Sequence, residues 1–231
     1  MGPRDPVFQA HPALARELDR LCTVAPWCAA GSSALVMAGG GLLLEIAKPD
    51  HWRRTSEGVL QVGLGAVGGS LEGDETLLEC LQREGQEELS TRLVVHNAPE
   101  TAVVAGPGAA ARLRLEGHSQ QPAPALLTLG PNRTRRKEID APTLVIATWW
   151  AEPRGRMARA DLFGTLWLPG ECWPELLLRL PLGVAELRAA PGLILETAEA
   201  LPEHAALVPG WVVGTLQQAL RLGWCPSSPL S

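Results

Sequence analysis

Apolar positions along this chain come in short runs, broken by Gly, Pro or charge, and their spacing shifts between a helical and a strand period. Residues 11–22 place Leu14, Leu18 and Leu21 on one face of an amphipathic helix. Ser33 to Met37 and Leu42 to Ala47 are strand-like around Gly39-Gly40-Gly41, which predicts a hairpin. Pro49 to Gly58 is polar and reads as a loop, and Val59 to Val67 as a strand ending in Gly68-Gly69. A helix is predicted from about Glu75 to Leu89. Leu77, Leu78, Leu81 and Leu89 form its apolar face, while Arg83, Glu84, Glu87 and Glu88 lie on another.

Leu93–His96 and Thr101–Ala105 follow as strands. Gly106 to Ala141, rich in Gly, Pro and Ala, reads as an insertion with short strands at 111–115 and 125–129. It ends in the basic cluster Arg133, Arg135, Arg136 and Lys137. Thr143–Trp150 and Leu162–Leu168 are strand candidates. Residues 171–231 read as a mostly helical C-terminal extension, with helices at 175–180 and 211–222. Strands and helices interleave without regular alternation, which predicts an α/β fold with a mixed sheet flanked by helices. A length of 231 residues suits one domain with appendages.

Composition narrows the partners. Hydrophobic residues make up 46% and charged residues 19%, enough for a packed core. A net charge of −5 gives no general attraction to duplex nucleic acid, so none is expected as a partner. No apolar run reaches membrane-spanning length, roughly 20 residues, and residues 1–6 lack the apolar stretch of a secretory signal. The 5 cysteines are scattered without a CxxC pair. Reduced thiols in a cytoplasmic protein are therefore expected, with no zinc site or disulfide framework.

The chemistry concentrates in GSLEGDETLLECLQREGQEEL, Gly69 to Leu89. Glu84, Glu87 and Glu88 stand at i, i+3 and i+4, so a helix projects their carboxylates from one face. Left alone, such anions repel and raise one another's pKa, and a hard divalent cation removes that penalty. Oxygen ligands with incomplete protein coordination suit Mg2+, with Mn2+ as the alternative. Arg83 can orient Glu87 or pair with Glu79, and Glu75 in the first turn suits the helix dipole. Gly68-Gly69 permits a tight turn that brings a carbonyl near the metal. Read as a charge run alone, the same residues would be a solvated helix face.

These residues resemble the signature of the Nudix hydrolase family: Gly, five residues, Glu, seven residues, then Arg-Glu-apolar-any-Glu-Glu-any-Gly-apolar. Gly69, Glu75, Arg83, Glu84, Glu87 and Glu88 match at the required spacing. Gly85, Ser90 and Thr91 depart from it. Gly85 weakens the helix or admits a close neighbour. Ser90 replaces the glycine that would end the helix in a left-handed conformation, so a cap made differently is expected.

The resemblance implies a Nudix-type α/β/α sandwich over roughly residues 30–170, with the N-terminal helix and C-terminal helical extension packing on it or forming a homodimer interface. It also implies Mg2+-dependent hydrolysis of the pyrophosphate in a nucleoside diphosphate derivative. Gly69, Glu84, Glu87 and Glu88 would hold the metal and Arg83 would assist. The general base would be a motif glutamate or a later one, leaving Glu88, Glu138, Glu152 and Glu171. Pro107 lies where ADP-ribose-type members carry a proline, so ADP-ribose or a nucleotide sugar is the first substrate candidate. The rival is a nucleotide-metabolite sensor on the same fold.

Weaker signals are Arg53-Arg54 and the basic cluster as phosphate contacts, and Trp149, Trp150 and Trp167 as stacking surfaces. Strand alternation points Trp149 and Trp150 to opposite faces, so at least one belongs to the core. Gly63-x-Gly65-x-x-Gly68 matches a dinucleotide fingerprint by letter, but does not open directly onto a helix.

Overall fold

A computed structural model describes residues 4–22, 26–106, 110–132, 141–170 and 172–224. Two N-terminal helices, α1 (Pro6–Ala10) and α2 (Pro12–Leu21), precede a long strand β1 (Trp27–Ala38). The predicted hairpin is present. β1 turns through Gly39 and Gly40, both at positive φ, into β2 (Gly41–Ile46), with Val36 opposite Leu43. The polar stretch after it holds a one-turn helix and β3 (Arg53–Arg54). The expected strand at 59–67 is divided at Ala66 into β4 (Leu60–Gly65) and β5 (Val67–Ser70).

The motif helix, α3 (Leu77–Leu89), begins at Thr76 in a capping box with Glu79. Glu75 therefore stands before the helix and not in its first turn. β6 (Leu93–His96), β7 (Glu100–Ala105), β8 (Ala110–Arg114), β9 (Leu126–Pro131), β10 (Thr143–Pro153) and β11 (Gly164–Pro169) follow. The C-terminal part is helical in α4 (Trp173–Arg179), α5 (Val184–Ala189) and α6 (Trp211–Arg221). It is less purely helical than its sequence predicts. β12 (Leu182–Gly183), β13 (Ile194–Thr197) and β14 (Ala205–Pro209) also lie there and join the sheet.

The sheet is mixed. Its main path runs β12-β14-β4-β2-β1-β10-β9-β7-β8, with β1 parallel to β10 and antiparallel to β2. β9 sits between β10 and β7, so segment 106–141 contributes to the sheet. Both faces of the centre are covered, as a run such as Ala34-Leu35-Val36 requires. Ala34 and Val36 pack with Leu14, Leu18, Leu77 and Leu81 on the face carrying α1 to α3. Leu35 packs with Leu177, Val213 and Leu216 on the face carrying α4 to α6. This is the α/β/α sandwich expected. Trp149 and Trp150 point to opposite faces and are 0% and 1% exposed, so both are core.

Two contacts fix α3 on the sheet. The buried Asp5 carboxylate accepts from Val7 N in α1 and from Leu77 N at the start of α3, both at 2.9 Å. Gln82 bonds the Leu93 backbone twice, through N–H at 3.1 Å and carbonyl at 2.8 Å. That clamp explains Gly85. A Cβ there would lie 2.8 Å from Leu93 Cγ, so the glycine admits β6 against the helix.

Candidate active site

β5 and α3 form the site between them. Arg83 is its organiser, with its guanidinium bound to Glu75 through Nε at 3.1 Å and Nη2 at 2.8 Å. Nη2 also donates to the Ser70 carbonyl at 3.0 Å. Nη1 reaches both Glu84 at 2.9 Å and Glu87 at 3.0 Å. Arg83 thus orients two of the expected metal ligands, whereas Glu79 is bound to Thr76 instead.

Glu84 lies so close to Gly69 that a Cβ there would overlap its carboxylate; only glycine leaves the room. Glu88 accepts from the Gly68 N–H at 3.0 Å. Burial pushes the Glu88 carboxyl up to about 8, aided by Glu45 and Glu84 and opposed by the Gly68 N–H. Burial also raises Glu84, against the pull of Arg83, and raises Glu45. Glu75 moves the other way, held down by Arg83. Beneath them the Cys80 thiol is pushed up to about 12 by burial and then Glu75, which makes it an inert structural thiol.

Two carboxylates join from outside the motif. Glu45 comes from β2 opposite Gly65, with Oε2 3.1 Å from where a Cβ at Gly65 would sit. Its signal in the sequence is a lone charge inside the apolar run GLLLEI. Asp161 comes from the loop after β10 and binds Lys48 Nζ at 2.7 Å. That loop also caps α3: the N–H groups of Ala160 and Ala158 donate to the carbonyls of Glu88 and Leu89, each at 3.0 Å. Ser90 itself takes the left-handed conformation, φ 53° and ψ 29°. The expectation of a differently made cap is corrected in that respect, since serine adopts the glycine's geometry.

Other sequence candidates fall elsewhere. Arg53 and Arg54 are exposed and pair with Gln61 and Leu60, at the far end of β4 from Gly65. Glu152 is engaged by His96 Nε2 at 3.0 Å. Glu138, Glu171, Pro107 and the cluster Arg133, Arg135, Arg136 and Lys137 lie outside the described residues. Trp167 donates to the Ala38 carbonyl at 2.7 Å. Among the described residues, no three Asp, Glu, His or Cys side chains stand ready at ligand spacing, and Glu84 and Glu87 are paired with Arg83. The donor set is nevertheless oxygen only, and the Glu84 carboxylate occupies space that only a glycine at 69 leaves free. The residues fit a hard divalent cation. The Gly69 carbonyl accepts weakly from Cys80 Sγ at 3.7 Å.

On the opposite side of β5 lies a cleft of about 300 Å³. Gly31, Gly65, Gly68 and Gly69 contribute to its floor, and Ile146 and Trp211 to its walls. Trp211, the first residue of α6, is 43% exposed.

No family model and no curated protein matches the chain. Solved structures similar to it include Nudix hydrolases. One is a MutT protein from Methanosarcina mazei, at 14% identity and TM-score 0.43, covering 87% of this chain and 99% of that one. Another is a Nudix hydrolase from Nitrosomonas europaea, at 13% and 0.34, covering 61% and 72%. An ADP-ribose pyrophosphatase from Streptococcus suis is similar at 9% and 0.29, covering 58% and 69%. At these identities and TM-scores the likenesses assign neither activity nor substrate.

Proposed function

We propose that this chain is a Nudix-type hydrolase that cleaves the pyrophosphate of a nucleoside diphosphate derivative, with ADP-ribose or a nucleotide sugar as first candidates. One observation carries this reading: Glu84 and Glu88 crowd against the glycine backbone at 68–69 while Arg83 gathers Glu75, Glu84 and Glu87. Glu84, Glu87, Glu88 and the Gly69 carbonyl would hold Mg2+ or Mn2+, which supplies neutralisation of the charge that builds on the phosphate oxygens.

In the reaction a bond forms from a water oxygen to one phosphorus, and the bond from that phosphorus to the bridging oxygen breaks. A nucleoside monophosphate and the phosphorylated second group leave. In this reading Glu88, anchored at Gly68, acts as the base in its ionised form, and Asp161, from a later loop, belongs to the same charged cluster. Arg83 keeps Glu84 and Glu87 oriented.

A substrate panel of ADP-ribose, nucleotide sugars and nucleoside triphosphates with Mg2+ tests this. Glu84→Gln and Glu88→Gln should each lower turnover on the order of 100-fold or more. Binding without turnover across the panel would make the protein a metabolite sensor. Turnover untouched by both substitutions would remove the site.

A further inference from the structure

We propose that the pocket between the start of α2 and the loop after β8 binds a phosphate group, with Arg16 and Arg114 as its anchors. The pocket shares no residue with the carboxylate cluster at α3, and its role holds whether or not the chain is a hydrolase. Its volume is about 430 Å³. Arg16 from α2 and Arg114 from the end of β8 border it, and neither has a hydrogen bond or an ion pair among the described residues. Glu116 is the one acidic side chain on its border among those residues. In a chain of net charge −5, two unpaired guanidinium groups at one hollow are a local excess of positive charge.

Side chains hold the loop wall of the pocket in place. Asn97 Oδ1 accepts from His118 N at 3.1 Å and Ala123 N at 2.9 Å, and Asn97 Nδ2 donates to the His118 carbonyl at 3.3 Å. His11, 4% exposed, ties the loop to the helix start through Nε2 and the Gln121 carbonyl at 2.7 Å. A carbonyl only accepts, so His11 donates there. His118 Nδ1 accepts from Gln120 N at 3.3 Å and Gln121 N at 3.0 Å. Its proton therefore sits on Nε2, which has no partner among the described residues. With Nε2 protonated, His118 is a donor and not a metal ligand. The border thus offers two free guanidinium forks and an imidazole N–H against one carboxylate. The oxygens of a phosphate accept such donors from several directions at once, and arginine binds them in pairs. A volume of about 430 Å³ is that of a small-molecule pocket, so the phosphate can carry an organic group.

Inorganic phosphate, glycerol phosphate and acetate should each be titrated into the metal-free protein and followed by amide shifts in proton–nitrogen correlation spectra. Without metal the α3 carboxylates repel anions, so the response reports sites elsewhere. The Ala13, Gly117 and His118 amides should shift saturably with either phosphate, and acetate should bind about tenfold more weakly or worse. Arg16→Gln and Arg114→Gln should each weaken phosphate about tenfold, and Glu116→Gln should tighten it about threefold. Arg20→Gln, on the same helix but at an arginine paired with Glu17, should change it far less. Tighter binding of glycerol phosphate assigns the pocket to a phosphate monoester, and equal binding to free phosphate; either supports the site. The absence of saturable shifts at these amides would overturn the proposal. So would acetate binding as tightly as phosphate. A loss in Arg20→Gln equal to that in Arg16→Gln would also overturn it, as the mark of diffuse surface charge.

Discussion

On the α3 side of β5, the organising arginine and three of the crowded carboxylates come from one continuous helix, whereas the α6 side draws its walls from β1, β5, β10 and α6. The first side is charged. Its carboxylates repel one another, and Arg83 balances Glu75, Glu84 and Glu87, with Glu72 at 4.0 Å, but makes no ion pair with Glu88 among the described residues. The second is neutral and held by backbone packing, as at Gly210 and Gly130. A local cluster can carry electrostatic strain because its helix is fixed at both ends, by the capping box and Asp5 at one and by the loop at Ala158 and Ala160 at the other. The cleft has no such local support and depends on the whole sandwich.

The strongest way to break the charged side is at Arg83. Arg83→Lys keeps the charge but loses the paired bonds to Glu75, and should cost about 2–3 kcal/mol of stability in urea unfolding. A loss no larger than that of an ordinary surface substitution would show that Arg83 does not organise the site. Next comes pH. Glu88 titrates near 4.3 when unfolded and about 8 in the metal-free fold. Between those values the folded chain holds the extra proton. The stabilising contribution is complete below the unfolded value and is lost as pH rises through about 8. Metal-free protein should therefore melt at progressively lower temperature over that range, and Glu88→Gln should flatten the decline. A melting temperature that climbs instead would contradict the crowding.

The smallest effects concern the helix backbone. Gly85→Ala gains helix propensity yet collides with Leu93, for a net loss of about 1 kcal/mol. Ser90→Gly relieves a left-handed φ of 53° and should add about 0.5–1 kcal/mol. Opposite signs for these two departures from the motif are the expected result of thermal unfolding. Equal signs would mean that Leu93 simply moves away, or that the cap is not strained.

Legibility in the sequence follows the same division. α3 is readable because periodicity and charge spacing act within a few turns, and only Glu75 is displaced, to a position before the cap. β9 looks like part of an insertion because glycine and proline surround it, yet Leu126-Leu127-Thr128-Leu129 is buried between β7 and β10. β12 to β14 are too short to show a pattern, with 2, 4 and 5 residues. Trp149 and Trp150 are conspicuous as candidates and turn out to be core, while Trp211 reads only as part of a helix.

What the sequence by itself determined is the charged helix, its carboxylates and their spacing, since helical geometry converts residue separation directly into a shared face. Which carboxylates join from outside was decided by tertiary structure. Glu45 arrives through the β2–β4 register and Asp161 through the loop that caps α3. The cleft was decided there too, because residues as far apart as Gly31 and Trp211 become neighbours only when both faces of the sheet are covered.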